Sequence, residues 1–222
     1  MIPPTTIGTT GISQLGLPIV ITLLNAGFRV VAFRRGDREA FVAQGRIAFD
    51  SPAEVLAQAN FILTCRLIKK AQMEVMEGPR VILAALHHLR TVIEMNTYDR
   101  SFKEHLASRI ERTEARILES GVGGSPPMVI QRKAALFLGG TEQLSEHCLP
   151  VLQDISDIHL HIGEFGSAVA MKLIANYLLT IHTLAAAEAM NLGDRAGFSA
   201  QKILTLSPKV RALQPCSKYA RP

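Results

Sequence analysis

The sequence contains no tryptophan, and aromatic residues make up only 5% of its 222 positions. Proteins that bind single-stranded nucleic acid interleave aromatic with basic side chains, so this scarcity argues against that function. Charge is also scarce: Asp, Glu, Lys and Arg make up 19% of the chain, and the net charge of +5 is spread along it. We therefore expect a globular protein that binds a small anionic molecule and no nucleic acid.

Cysteine is rare as well, with Cys65, Cys148 and Cys216 far apart and without a C-x-x-C pair or a histidine at metal-ligand spacing. This pattern indicates reduced thiols and no metal site. The N-terminus lacks the regions of a signal peptide, and polar residues interrupt the longest apolar stretch, residues 173–187. We expect a cytoplasmic protein that does not bind a membrane, with enough hydrophobic residues, 48%, for a core.

Residues 5–35 have the pattern strand, glycine turn, helix and second strand. Gly11, Ser13 and Gly16 occupy the three positions of the dinucleotide fingerprint G-x-G-x-x-G, with serine in place of the middle glycine. On the fingerprint alone, an ordinary strand-to-helix turn is an equal alternative. In the dinucleotide interpretation, a phosphate binds over the helix N-terminus. The candidate cofactor contacts in this turn are Gly11, Ile12, Ser13, Gln14, Leu15 and Gly16.

Arg34 and Arg35 follow the second strand, where NAD enzymes usually carry Asp or Glu for the ribose diol. Arginine at this place suits a 2′-phosphate, so we predict NADP as the cofactor, with NAD as the alternative. Two solvated arginines with no ligand are the competing interpretation.

Strands alternate with helices from Thr5 to Met95, which is typical of a parallel sheet wound by crossover helices. The capping box Ser51-Pro52-Ala53-Glu54 marks one helix start. A glycine- and proline-rich loop is predicted at 119–127. The fold class is therefore α/β, a Rossmann-type doubly wound parallel sheet over residues 1–163. Further strands are predicted at 61–65, 91–95, 116–118, 134–138 and 159–162, and helices at 37–44, 52–60, 70–76, 79–89, 99–113 and 141–152.

A single helix without an internal breaker is predicted from residue 166 to 193. At about 1.5 Å per residue it would span on the order of 40 Å, so we expect it to leave the sheet domain for a helical part, residues 164–204, before an irregular tail, 205–222. Lys172 and Asn176 are four residues apart and share a face. Lys172 lies among apolar residues, which would lower its pKa towards a catalytic range; a solvated lysine is the alternative.

Three motifs together resemble those of the β-hydroxyacid dehydrogenase family, which includes 3-hydroxyisobutyrate dehydrogenase and tartronate semialdehyde reductase and is related to 6-phosphogluconate dehydrogenase. The family's G-x-G-x-M-G-x-P-M-A is similar to residues 11–20. Its strand-end Ser/Thr-Thr pair falls on Asn96-Thr97. Its helix motif G-x-x-x-K-x-x-x-N is similar to residues 168–176, with Ala168 in place of the glycine.

The resemblance implies hydride transfer between NADP and a small β-hydroxy acid or semialdehyde, in a homo-oligomer. Lys172 would be the general acid/base and Asn176 a substrate or lysine-positioning contact. Thr97 would be a nicotinamide-side contact. The remaining implied contacts are Cys65, Arg66 and Leu67 for the cofactor, and Val122, Gly123, Gly124, Lys172 and Asn176 for the carboxylate-bearing substrate.

This chain departs from the family pattern at several positions. Arg66-Leu67 replaces Leu-Pro, and the substrate loop D-A-P-V-S-G-G corresponds to residues 119–125, with Gly123 at the serine position. The first strand, residues 5–10, is unusually polar. Family members also continue past the long helix into an all-helical domain. A shortened, catalytically impaired nucleotide-binding module is therefore the second interpretation.

Overall fold

A computed structural model of the chain describes residues 5–10, 14–33, 47–65, 68–76 and 90–206, together with residues 42, 83 and 86. It divides into two compact units, Met1–Ile174 and Ala175–Pro222. The first unit holds a sheet whose strands are β1 (Thr6–Thr9), β2 (Arg29–Phe33), β3 (Ile47–Phe49), β4 (Phe61–Thr64), β5 (Thr91–Glu94), β6 (Arg116–Gly123), β7 (Ala135–Gly139) and β8 (Ile158–Gly163). The described helices are α1 (Gly16–Asn25), α2 (Pro52–Gln58), α3 (Lys69–Met76), α4 (Arg100–Glu111), α5 (Pro126–Ile130), α6 (Glu142–Ile155), α7 (Ser167–Arg195) and α8 (Ala200–Leu206).

The spatial order of the strands is β3-β2-β1-β4-β5-β6-β7-β8. The chain first builds outwards from β1 to β3, then crosses to the other side of β1 to begin β4. This reversal makes the carboxyl ends of β1 and β4 the topological switch point, where open α/β sheets bind their ligands. The α/β class and the Rossmann-type arrangement are confirmed.

One strand pair departs from a wholly parallel sheet, because β6 and β7 are antiparallel. The segment between them contains only the short helix α5. The sheet is therefore mixed, with its other described neighbours parallel.

Strand β6 is longer than the sequence predicted. Residues 119–123, expected as loop, continue the strand and pair with residues 135–139 of β7. Glycines in this stretch favour a loop locally, but pairing with a distant strand overrides that preference. The loop prediction for 119–123 was wrong, and the helix α5 occupies part of the rest.

Two apolar layers cover the two faces of the sheet. Successive strand residues point to opposite faces, so Ile62 joins one core cluster and Leu63 the other. Helices α1 and α6 contribute to the layer of Leu63, and α2 and α4 to that of Ile62. This is the doubly wound arrangement.

Several local predictions are confirmed. Ser51 caps α2, with its Oγ accepting the Glu54 N–H at 3.3 Å, and Thr141 caps α6. Helix α7 runs unbroken from Ser167 to Arg195. The helices predicted at 37–44 and 79–89 lie almost wholly outside the described residues, and Cys216 lies outside them too.

Candidate functional site

Two buried threonines stand at the switch point of the sheet. Thr10 follows β1 and donates its backbone N–H to Leu63 O at 3.2 Å, which holds it beside Thr64 at the end of β4. Neither hydroxyl has a hydrogen-bond partner in the described part of the chain. An unpaired buried hydroxyl costs about 1–3 kcal/mol, so these oxygens mark a place that suits a polar ligand. Neither threonine was predicted as a site residue, although the polar character of residues 5–10 was a signal.

The start of α1 faces the same edge of the sheet. Gly16 is buried and begins the helix, while no side chain caps it at Leu15 and no acidic residue occupies its first turn. The backbone N–H groups and the helix dipole at such a terminus favour an anion. Gln14 is exposed and Leu15 half-buried.

The two threonine hydroxyls and the start of α1, whose first turn has no acidic residue, together fit the polar part of a dinucleotide. Cys65, which follows β4, is buried and has no disulfide. The other predicted cofactor residues fall outside the described residues, so their contacts stay predictions: Gly11, Ile12, Ser13, Arg34, Arg35, Arg66 and Leu67.

The predicted pair after β5 divides into an inner and an outer residue. Asn96 is buried, and its backbone N–H donates to Glu94 Oε1 at 3.0 Å while its side-chain amide donates to the same oxygen. Thr97 is exposed at the carboxyl edge. Asn96 therefore holds the edge together, and Thr97 stays the candidate contact to the cofactor.

At the carboxyl end of β6, residues 122–124 can offer a ligand only main-chain groups. The side chain of Val122 is buried in the core, so it can offer a substrate only its main chain. A Cβ on Gly123 would lie 2.9 Å from the Phe137 ring, and one on Gly124 would lie 2.9 Å from Ala134 Cβ. A side chain at either glycine would therefore force a neighbouring group to shift.

Lys172 lies on α7 against β6. A Cβ on Gly121 would lie 3.4 Å from Lys172 Cβ and 3.3 Å from Ala168 O, so the missing side chain permits this close approach. Lys172 is half-buried, and burial lowers its pKa below the ordinary 10.5. The direction of this shift agrees with the sequence prediction. Asn176 is exposed and belongs to the second unit, so the shared face stays a prediction from helical spacing.

Beneath this edge lies a buried ionic network that the sequence analysis did not predict. The side chains of Glu94, Lys103 and Glu119 are all 0% exposed, and Lys103 Nζ lies 2.5 Å from Glu94 Oε2 and 2.7 Å from Glu119 Oε1. Burial is the main cause that raises the pKa of Glu94, against the opposing effect of Lys103 and Asn96. A glutamate inside the apolar run Thr91–Met95 was the available signal.

Residues 6–163 match the family described as the NAD binding domain of 6-phosphogluconate dehydrogenase. An uncharacterized oxidoreductase of Synechocystis is 27% identical over 202 residues, covering 89% of this chain and 70% of that protein. The mitochondrial 3-hydroxyisobutyrate dehydrogenase of rat is 27% identical, covering 93% and 63%. The human cytokine-like nuclear factor N-PAC is also 27% identical, covering 90% and 36%. The chain thus spans 63% of the length of the rat enzyme and 36% of the length of human N-PAC.

Solved structures share the fold. The 3-hydroxyisobutyrate dehydrogenase of Mycobacterium tuberculosis, solved with L-serine, has a TM-score of 0.81 at 24% identity. The match covers 94% of this chain and 71% of the Mycobacterium chain. An imine reductase of Myxococcus stipitatus in complex with NADP+ has a TM-score of 0.82 at 16% identity, covering 91% and 72%. A V8 variant of that reductase in complex with NAD+ has the same TM-score at 15% identity, covering 93% and 72%.

Proposed function

The chain belongs to the family of the NAD binding domain of 6-phosphogluconate dehydrogenase, and from this premise we propose that it is an oxidoreductase interconverting a small β-hydroxy acid and its semialdehyde. The observation that carries the proposal is Lys172, a half-buried lysine of lowered pKa that packs against β6. In this proposal residues 1–163 bind NADP and residues 164–204 begin the helical part of the substrate site.

A bound nicotinamide would supply the hydride for reduction and accept it for oxidation. Lys172 Nζ donates a proton to the carbonyl oxygen during reduction and takes the hydroxyl proton during oxidation. Its lowered pKa serves this role, because a general acid/base works best when its pKa is near the working pH. The backbone N–H groups of Gly123 and Gly124 would bind the substrate carboxylate, Asn176 would position the reacting group, and Thr97 would face the nicotinamide.

A second candidate is a nucleotide-binding module without turnover. It is favoured by the match to N-PAC, whose name describes a nuclear factor, and by the loss of the family's serine at Gly123. Titration of the protein with NADPH, followed by fluorescence, measures binding, and turnover against a panel of small semialdehydes measures chemistry. Binding together with turnover supports the enzyme, whereas binding without turnover on any member of the panel supports the module.

Self-association is expected from the exposed apolar side chains of α7. Leu173, Leu179 and Leu184 are 49%, 66% and 55% exposed. Exposed apolar patches of several hundred Å² mark interaction surfaces, so light scattering should show a dimer or a larger species. By length and composition α7 could also cross a bilayer, but a single helix of this kind is weak evidence for a membrane span.

The matched variants are Leu179→Glu and Leu184→Glu on α7, with Leu149→Glu on α6 as the control for an exposed leucine elsewhere. The α7 variants should shift the protein towards monomer and the control should not. A wild-type protein that stays monomeric at high concentration would contradict the expectation.

A further inference from the structure

The first turn of α7 is held by a carboxylate from the sheet. Glu119 Oε2 on β6 accepts the backbone N–H groups of Gly166 at 2.9 Å and Ala168 at 3.0 Å, and all of these atoms are buried. A carboxylate at a helix N-terminus satisfies N–H groups that lack an intrahelical partner and interacts favourably with the helix dipole. The cap comes from a distant strand, so it ties the start of α7 to the sheet one turn before Lys172.

The orientation of Glu119 is fixed from its other side by Lys103. Lys103 Nζ donates a hydrogen bond to Asn96 O at 2.8 Å and forms ion pairs with Glu119 Oε1 at 2.7 Å and Glu94 Oε2 at 2.5 Å. Asn96 in turn donates to the remaining oxygen of Glu94. Buried charges persist when they are paired and hydrogen-bonded, and this network meets both conditions. Both oxygens of the Glu119 carboxylate therefore have a partner: Oε1 is in an ion pair with Lys103, and Oε2 accepts the two N–H groups of α7.

Two glycines leave the space in which Glu119 contacts the first turn of α7. Gly121 lies two residues beyond Glu119, so both positions face the same side of β6, towards Ala168 and Lys172. Gly139 on β7 pairs with Glu119 on β6. A Cβ on Gly139 would lie 2.7 Å from Glu119 Oε2 and 3.2 Å from Ala168 N. A side chain at Gly139 would therefore press on the carboxylate and on the first turn together.

We propose that Glu119 is a positioning residue for Lys172, acting through the first turn of α7. The inference rests on the proposed acid/base role of Lys172 and extends it by naming what holds the lysine in place. Displacement of a reacting group by about 1 Å can lower the rate by a factor on the order of 10². The contacts of Glu119 one turn away can therefore affect turnover without touching substrate or cofactor.

The test is Glu119→Gln, which keeps the shape of the side chain and removes its charge. We expect kcat to fall about tenfold or more while the Kd for NADPH stays within about twofold. Amide hydrogen exchange of residues 164–173 should become faster. Glu119→Asp restores the charge and should recover part of kcat. The control is Glu142→Gln, an exposed glutamate in the first turn of α6, which should leave all three quantities unchanged.

Gly139→Ala tests the same contact if Glu119→Gln does not fold, because it leaves every charge in place. It should also lower kcat and speed exchange in the first turn. A signal that does not depend on turnover separates this inference from the proposed function: the NMR resonance of ¹³C-methylated Lys172, assigned with Lys172→Arg. A shifted resonance in Glu119→Gln or Gly139→Ala supports positioning even if no substrate is turned over. An unchanged resonance with unchanged exchange, or an unchanged kcat in an active enzyme, overturns it.

Discussion

Replacement of Lys172 with alanine is expected to lower turnover by a factor on the order of 10² or more while NADPH affinity stays within a fewfold. The variant removes the only proton carrier in the proposed mechanism. It changes no residue of the fingerprint, and Lys172 packs against β6, which β4 and β5 separate from β1 in the sheet. Steady-state kinetics with NADPH and an active semialdehyde measures the first quantity, and fluorescence titration measures the second.

Two further variants show whether the loss is specific. Lys133→Ala removes an exposed lysine from the same unit and should leave turnover unchanged. Lys172→Arg keeps a positive charge that cannot be removed at ordinary pH, so it should lose oxidation of the hydroxy acid as severely as alanine does. Turnover in Lys172→Ala equal to that of the wild type would remove Lys172 from the mechanism.

Replacement of Arg34 and Arg35 with alanine is expected to change cofactor preference. An arginine guanidinium can pair bidentately with the 2′-phosphate of NADP, and charge-assisted contacts of this kind contribute about 1.5–3 kcal/mol. The loss of this contact should reduce the ratio of NADPH affinity to NADH affinity by about ten- to a hundredfold. The acidic residue that would hold the ribose diol of NAD is absent at this position, since Asp37 lies farther along.

Arg29→Ala is the matched control for cofactor preference, because Arg29 is exposed at the opposite, amino end of β2. It changes the net charge by the same amount as either single variant but should leave the affinity ratio unaltered. A wild-type protein that prefers NADH, or an unchanged ratio in Arg34→Ala and Arg35→Ala, would show that the NADP assignment is wrong.

The parts of the fold that follow from local signals were predictable from the sequence. Ser51 and Glu54 form a capping box within four residues, and the uninterrupted run behind α7 needs no distant partner to be recognised. The second half of β6 was not predictable in this way. Gly121 and Gly123 are poor strand residues, and the strand forms there because β7 supplies its hydrogen bonds.

The candidate site shows the same division. The fingerprint turn and the spacing of Lys172 and Asn176 are visible in the sequence, and resemblance supplied their roles. The network of Glu94, Lys103 and Glu119 was not visible in the sequence. Its members come from β5, α4 and β6, and only the sheet order brings them together. Glu119 was expected in a loop, where a glutamate is usually solvated.

If Lys172 carries the proton, the rates of reduction and of oxidation should depend on pH in opposite directions. Lys172 must be protonated to assist reduction and deprotonated to assist oxidation. Burial lowers its pKa, so the two rates should change below the ordinary lysine pKa of 10.5. Reduction should slow and oxidation should accelerate as the pH rises through the lowered pKa of Lys172, and Lys172→Ala should lose both dependences. If the two rates rise or fall together, or if Lys172→Ala keeps the same pH dependence, Lys172 does not carry the proton.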